Sequence, residues 1–395
     1  MAILGFWGYP PGTEPAGGLQ TSNDSLALAL SAHSPEGWSG AYILTRSNGW
    51  HVRKDAPSPS TLTVEPKLAA LLSSMSKARL GALGYRLLLA ADSFSSLDAD
   101  LVFAPDVSTV FNAMDKRTRV IVASNDFMFR TFPQYFDRGQ LVRRKWMYRR
   151  ALDRADLVVV GSQHTLDDLS KYYPEARSKA VLWRFPAPVD LRAPSQAEKR
   201  TAARLLGAVS DLGATILYPA QFWPNKNQLT LIRALAVLRR DYSVKATVVL
   251  TGTGQMQDKA ASLSRRQGVD DHVLFLGNVP RGVLFGLMAD AAVVTVPSLH
   301  EQASYPLIEA GWFQRPILAS AIPPLQGELE GHPDALVPPL DADAWAARLH
   351  RVLTDERFRE RLVSASASVF ALHSVQRQSE EFWRLALDLH ARPRA

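Results

Sequence analysis

Two carboxylates, a lysine and a proline carry the first chemical signal in this chain. Glu301 and Glu309 lie in the segment PSLHEQASYPLIEAGWFQRPILAS, residues 297–320. The run AAVVTV just before it reads as a strand, and Pro306 stands where a first helical turn should begin. Proline is favoured there because it has no N–H to lose. The free amides of Gln302, Ala303, Ser304 and Tyr305, with the helix dipole behind them, would form a seat for an anion. Carboxylates flanking an anion could hold the hydroxyls of a sugar and of a ribose. A Glu309 inside the first turn would equally well just complement the dipole, so the pair alone leaves both readings open. A second segment, LYPAQFWPNKNQLTLIRAL at 217–235, ends a strand at Gln221 and puts Lys226 at a helix start. A cation is disfavoured there unless an anion neutralises it or the side chain escapes into solvent. A phosphate would reverse the penalty.

Residues so placed need strands that end together. Short aliphatic runs alternate with helical patterns through most of the chain, the signature of βαβ units around parallel sheets. Strands are expected near 2–7, 41–45, 60–65, 100–104, 119–123 and 157–161, then near 214–219, 246–251, 273–276, 292–296 and 316–320. Helices are expected near 226–240, 256–267, 281–290 and 306–314. Leu231, Ile232, Leu235 and Leu238 share one face of the first of these. The fold class is α/β, with two Rossmann-like domains whose parallel sheets face a central cleft. The expected boundaries are 1–195, 196–373 and a final helix in 374–395 that returns to the first domain. Such folds bind ligands at the carboxyl ends of their strands.

The 395 residues exceed the ~250–300 that a single core supports, in line with two domains. There is no cysteine, so disulfides, thiol nucleophiles and cysteine metal sites are excluded. The nine histidines have no zinc-site spacing, and no metal is expected. No uncharged apolar run approaches the ~18–20 residues of a spanning helix. The opening MAILGFWGYPPGTEP lacks the basic region of a secretory signal, which gives a cytoplasmic expectation. The net charge of +7 is concentrated in 138–154, where seven basic residues face only Asp153, so the remainder sums to +1. Arg143, Arg144, Lys145, Arg149 and Arg150 recur there at helical spacing, interleaved with Trp146 and Tyr148. Such a helix suits an anionic membrane surface or a lipid-linked acceptor. It also suits a plain solvated face. Nucleic acid is the weakest of the three, with no accompanying fold signature.

Taken together, these segments resemble family-4 glycosyltransferases of the GT-B fold. The resemblance spans the second half and, more loosely, the first. Ala220-Gln221 with Lys226 matches the family's G-R-x-x-x-x-K motif, and Glu301 and Glu309 match its E-x7-E, continued by the EAxxxxxPIxAS pattern from Glu309 to Ser320. FLGNVP at 275–280 and VVLTGTG at 248–254 also match. In the first half the family pattern is met by Gly17-Gly18, VIVASNDFMFRTFPQYF at 120–136, ADLVVVGSQHTLDDL at 155–169 and RFPAPVD at 184–190.

The resemblance implies a retaining transfer of a hexose from a nucleotide-sugar co-substrate to a glycan or lipid-linked acceptor, with no metal and no resident cofactor. The QFWPxKN form leans toward mannosyltransferases, which implies a donor such as GDP-mannose. It further implies that Gly17, Gly18, Gln221, Lys226 and residues 302–305 surround the donor diphosphate, and that Glu309 holds the ribose. Asn278 and Val279 lie by the base, Glu301 contacts the hexose, and Asn125 and Asp126 face the acceptor. Three departures stand out. Gln221 replaces the family arginine, Glu301-Gln302-Ala303-Ser304 replaces EGFG, and Asn125 replaces a histidine. The alternative is therefore a GT-B binding or partner subunit with little or no transfer activity. Asp98-Ala99-Asp100 and Asp341-Ala342-Asp343 read as chance D-x-D matches, Gly252-x-Gly254 as a tight turn, and Arg281 and His300 as loop residues.

Overall fold

The computed structural model describes residues 2–7, 26–45, 60–64, 100–107, 118–209, 211–302 and 304–393, with 2–7, 39–45 and 60–64 as backbone alone. Gly17, Gly18, Ala303, Asp98 and Ala99 lie outside the described residues. The chain forms two compact units, Met1–Val189 with Val375–Ala395, and Asp190–Ser374. It passes from one to the other at Val189, ahead of the polar stretch 193–213. Residues 190–198 are tied into the second unit: Asp190 pairs with Arg281, and Arg192 lies over the Phe285 ring at 5.9 Å.

The first unit is built on strands β1 (Ala2–Trp7), β2 (Trp38–Thr45), β3 (Ser60–Val64), β4 (Leu101–Ala104), β5 (Arg119–Ala123), β6 (Leu157–Val160) and β7 (Ala180–Leu182). They pair in parallel in the order β3-β2-β1-β4-β5-β6-β7. Alternate side chains of a strand face opposite ways, and β4 to β6 are apolar at nearly every position because both faces are covered. Val102, Val120, Val122, Val158 and Val160 meet Tyr148, Ala151 and Leu152 of the basic helix Arg138–Arg154. On the other face Phe103, Ile121 and Val159 meet Leu26 and Leu30 of the helix at 26–32, together with Phe382, Trp383 and Ala386 of the helix Val375–Ala391. Trp183 and Trp383 satisfy their buried indole N–H groups on the carbonyls of Gln378 and Leu30, each at 2.8 Å.

The second unit repeats the plan with β8 (Ala214–Pro219), β9 (Ala246–Thr251), β10 (Val273–Phe275), β11 (Val293–Val296), β12 (Ile317–Ser320) and β13 (Leu336–Val337). All are parallel, in the order β10-β9-β8-β11-β12-β13. The chain runs outward from β8 to β10, then returns to lay β11 on the opposite side of β8. The strand order thus reverses between β8 and β11, where loops diverge and leave room for a ligand. Strand β8 ends at Pro219, still in register with Thr251 of β9, rather than at Gln221, because the chain leaves the ladder after Pro219. Among the described residues, no helix is long and apolar enough to cross a membrane.

Candidate functional site

The loops after β8 and β11 carry the residues singled out by motif. After β8, Pro224 starts a single tight turn, Pro224–Lys226, and Asn227 turns left-handed (φ 54°) before the helix Gln228–Tyr242. Asparagine tolerates that conformation because its short amide can bond locally. The Asn227 Nδ2 donates to the carbonyls of Pro297 (2.9 Å) and Pro339 (2.7 Å), and its Oδ1 accepts from Thr230. Asn225 adds two links to the other loop, donating to the His300 carbonyl (3.2 Å) and accepting from the Leu299 amide (2.7 Å). The two loops are therefore laced by asparagine side chains and one backbone hydrogen bond.

Lys226 and Glu301 meet across this lacing, Nζ to Oε1, at 2.5 Å. The cation that seemed to call for an anion at its helix start has one in the chain itself. The same Oε1 accepts from Ser298 Oγ at 2.6 Å, and Ser298 lies 2.9 Å from the Tyr218 hydroxyl. Burial, reinforced by Glu301, pushes the Tyr218 hydroxyl well above its ordinary pKa, so it stays protonated and can donate. The hydrogen bonds then run one way, Tyr218 to Ser298 to Glu301. Neither Tyr218 nor Ser298 stands out in the sequence, because each sits in or beside an apolar strand.

Beyond Glu301 the chain enters the helix Tyr305–Trp312 through Ser304, with Pro306 in its first turn. The first-turn amides have no acceptor within the helix. Ser304 is only 4% exposed, and its Oγ has no hydrogen-bond partner; the buried Nε2 of half-buried Gln302 also has none. Unsatisfied buried donors of this kind are uncommon in folded proteins and suit an anion or a hydroxyl-rich ligand.

Glu309 departs from its expected place. The helix begins at Tyr305, so Glu309 lies beyond the first turn, 3% exposed, too deep to complement the helix terminus. Its Oε1 accepts from Arg281 Nη1 at 2.6 Å. Arg281 is no simple loop residue: it opens the helix Arg281–Asp290, and its Nε and Nη2 donate to Asp190 at 2.7 and 2.9 Å. Burial pushes the Glu309 carboxyl above its ordinary pKa, and the Arg281 guanidinium pulls it only part of the way back. Burial also opposes the Arg281 charge, but Glu309 and Asp190 outweigh it and hold that pKa above its usual range.

Gln221 spends its amide inside the protein, accepting from the Thr253 amide (2.8 Å) and donating to Asn278 Oδ1 (3.2 Å). It joins the loops after β8, β9 and β10. Asn278 is exposed and Val279 half-buried. Gly252 and Gly254 form the tight turn, at φ +83° and +147°, flush against the backbone of residues 220–222. A Cβ on Gly252 would stand 2.7 Å from the Ala220 carbonyl oxygen. Asp341 of the second D-x-D caps the helix Ala342–Thr354 by accepting from the Ala344 amide.

Asn125 and Asp126 belong to the first unit, just past β5. Asn125 Nδ2 donates to Asp106 Oδ2 at 3.1 Å, Asp126 Oδ1 accepts from the Met128 amide, and the Asp126 carbonyl accepts from Tyr148 at 2.6 Å. The basic helix starts with a capping box between Asp137 and Gln140. It buries Tyr148, Ala151 and Leu152 and turns Arg143, Lys145 and Arg149 to solvent. Arg144 lies over the Phe136 ring and Arg150 over Trp146, at 4.8 and 5.0 Å.

Residues 213–355 match the family model described as glycosyl transferases group 1. The chain is similar to the MMP alpha-(1->4)-mannosyltransferase of Mycolicibacterium hassiacum, at 29% identity over 72% of this chain and 66% of that one. It is also similar to the D-inositol 3-phosphate glycosyltransferase of Corynebacterium aurimucosum, at 26% identity over 65% and 64%. The chain spans about half to two thirds of the length of the curated relatives it matches. Sucrose-phosphate synthase from Thermosynechococcus elongatus superposes with a TM-score of 0.73 at 20% identity, over 99% of this chain and 100% of that one. The two parallel sheets are those of the GT-B glycosyltransferase structures, and the second unit carries the match to the glycosyl transferases group 1 family.

Proposed function

We propose that the chain is a glycosyltransferase that moves a hexose, mannose in our reading, from a nucleotide-sugar to a glycan or lipid-linked acceptor with retention. One observation carries this reading. Lys226 and Glu301 stand together at the reversal of strand order, beside a helix start whose Ser304 Oγ and Gln302 Nε2 are buried without partners. A cation and free donors there can take up the negative charge that grows on a departing diphosphate, where fixed dipoles are most effective. In the proposed roles, Lys226 lies against the diphosphate, and Glu301, steadied by Ser298, accepts hexose hydroxyls. Glu309 accepts the ribose hydroxyls, and the base lies near Asn278 and Val279. The anomeric bond to the diphosphate breaks, a bond to the acceptor oxygen forms, and the acceptor proton leaves with the diphosphate. The reaction uses neither a metal nor a resident cofactor. The mannose preference rests on the QFWPxKN form and on the likeness to a mannosyltransferase, with GDP-mannose as the donor. The acceptor is presented at an anionic membrane surface on the cytoplasmic side, against the basic helix.

Release of nucleoside diphosphate from a panel of nucleotide-sugars tests this. Turnover with GDP-mannose, unchanged by a chelator, is expected. Glu309→Ala should weaken donor binding by about 10-fold or more, the usual loss for a hydrogen bond to a charged group; wild-type affinity in that variant would remove the ribose role. The second reading, a partner subunit without transfer activity, draws on Asn125 and Asp126, whose side chains are already engaged with Asp106 and the Met128 amide. Donor binding with no turnover on any acceptor would favour it.

A further inference from the structure

Arg281 combines features that plain packing does not require. It sits at a helix start, where a cation meets the unfavourable end of the dipole, and its guanidinium is shared between two carboxylates from distant parts of the chain. Two of its donors grip Asp190, the first residue of the second unit, and a third holds Glu309 Oε1. The Phe285 ring lies against the guanidinium at 4.8 Å and completes the clamp. An arginine held at three donors has no rotational freedom left, because its fork is planar and rigid. Glu309 therefore has one oxygen committed, while Oε2 accepts from no described residue. Of the three side chains only Glu309 is deeply buried, those of Arg281 and Asp190 being 27% and 45% exposed, so the outer pair adds little stability and a positional use is the better account of it.

We infer that Arg281 is a positioning residue for the donor nucleotide. It fixes the rotation of the Glu309 carboxylate so that Oε2 faces the ribose hydroxyls, and Asp190 in turn fixes Arg281. The inference rests on the ribose role proposed above for Glu309. It adds two residues to that subsite, neither of which touches the nucleotide itself.

The test compares GDP and UDP with their 2′,3′-dideoxy counterparts, by calorimetry on the full chain. Wild type should prefer the ribonucleotide. Arg281→Met should lose about 10–100-fold in ribonucleotide affinity, as for a misplaced hydrogen bond to a charged group, and no more than about threefold for the dideoxy form. Arg281→Lys keeps a charge between the carboxylates but lacks the fork. It should show the same selective loss on a smaller scale, and it carries the comparison if Arg281→Met does not fold. Asp190→Asn, which leaves Arg281 and Glu309 in place, should lie between these variants and wild type. Equal losses for the two nucleotide forms, or unchanged affinity, would overturn the positioning role. A wild type that does not distinguish ribose from dideoxyribose, or binds neither nucleotide, overturns the ribose role of Glu309 and with it the inference.

Discussion

At Glu301 a single oxygen serves Lys226 and Ser298 together, and Ser298 passes the connection on to the buried Tyr218 hydroxyl. This leaves the second oxygen of Glu301 as the one available to a ligand. Removing Ser298 breaks the line in its middle. Ser298→Ala should destabilise the fold by about 1–3 kcal/mol, since Tyr218 and Glu301 both lose a buried partner. It should also weaken nucleotide-sugar binding while leaving binding of the free nucleoside diphosphate, which has no hexose, nearly unchanged. Urea denaturation and calorimetry with the two ligands would check both parts. At this scale the motif residues were legible as types, but their pairings were not. Lys226 and Glu301 are 75 positions apart, and Arg281 lies 91 and 28 from its two partners. No local spacing encodes such contacts. Glu309 was misplaced by part of a turn for a related reason: the helix start is set by Ser304 and Tyr305 leaving the loop, which the proline alone does not fix.

The element that ties the site to the body of the second unit is the short helix Tyr305–Trp312. Its Gly311 packs directly on the backbone of the helix Glu356–Leu372, where a Cβ would meet the Ser366 carbonyl and stand 2.6 Å from Phe370 Cβ. Backbone cannot step aside as a side-chain tip can. Gly311→Ala should therefore push the two helices apart, costing about 1–3 kcal/mol or more, and should shift Glu309 on the same helix. A lowered denaturation midpoint with weakened donor binding is the expected outcome; a fully stable variant would mean that the helices separate without penalty. Most elements were readable from pattern. Strands β8 and β9 are apolar at most positions because both faces of the sheet are covered, and the helix Gln228–Tyr242 shows its stripe. The missed strands, β7 and β13, span three and two residues. They are too short for any period to show and are held by their neighbours in the sheet.

For the whole molecule, the uneven placement of charge is the leading physical property. The basic helix keeps Tyr148, Ala151 and Leu152 for the core, so Arg143, Lys145 and Arg149 are directed outward together. Each cation near an anionic bilayer contributes about 1 kcal/mol, screened within a Debye length. Neutralising Arg143, Arg144, Arg149 and Arg150 should abolish flotation with phosphatidylglycerol vesicles at low salt while leaving the melting temperature close to wild type. Unchanged flotation would count against the membrane role. The expected fold class could be read in advance, since alternating strands and helices leave few topologies open.

The last helix, Val375–Ala391, which packs in the first unit, also has a consequence for how the protein is made. Residues 190–374 are contiguous and form a complete unit, whereas the first unit needs Phe382, Trp383 and Ala386 to close one face of its sheet. During synthesis the usual order, in which the N-terminal domain folds first, is inverted. The second unit can finish while the first still exposes Phe103, Ile121 and Val159, and the indole N–H of Trp183 waits for Gln378. A nascent chain stalled before Val375 should therefore bind nucleotide yet remain a chaperone client, and release of the final helix should be the step that frees it.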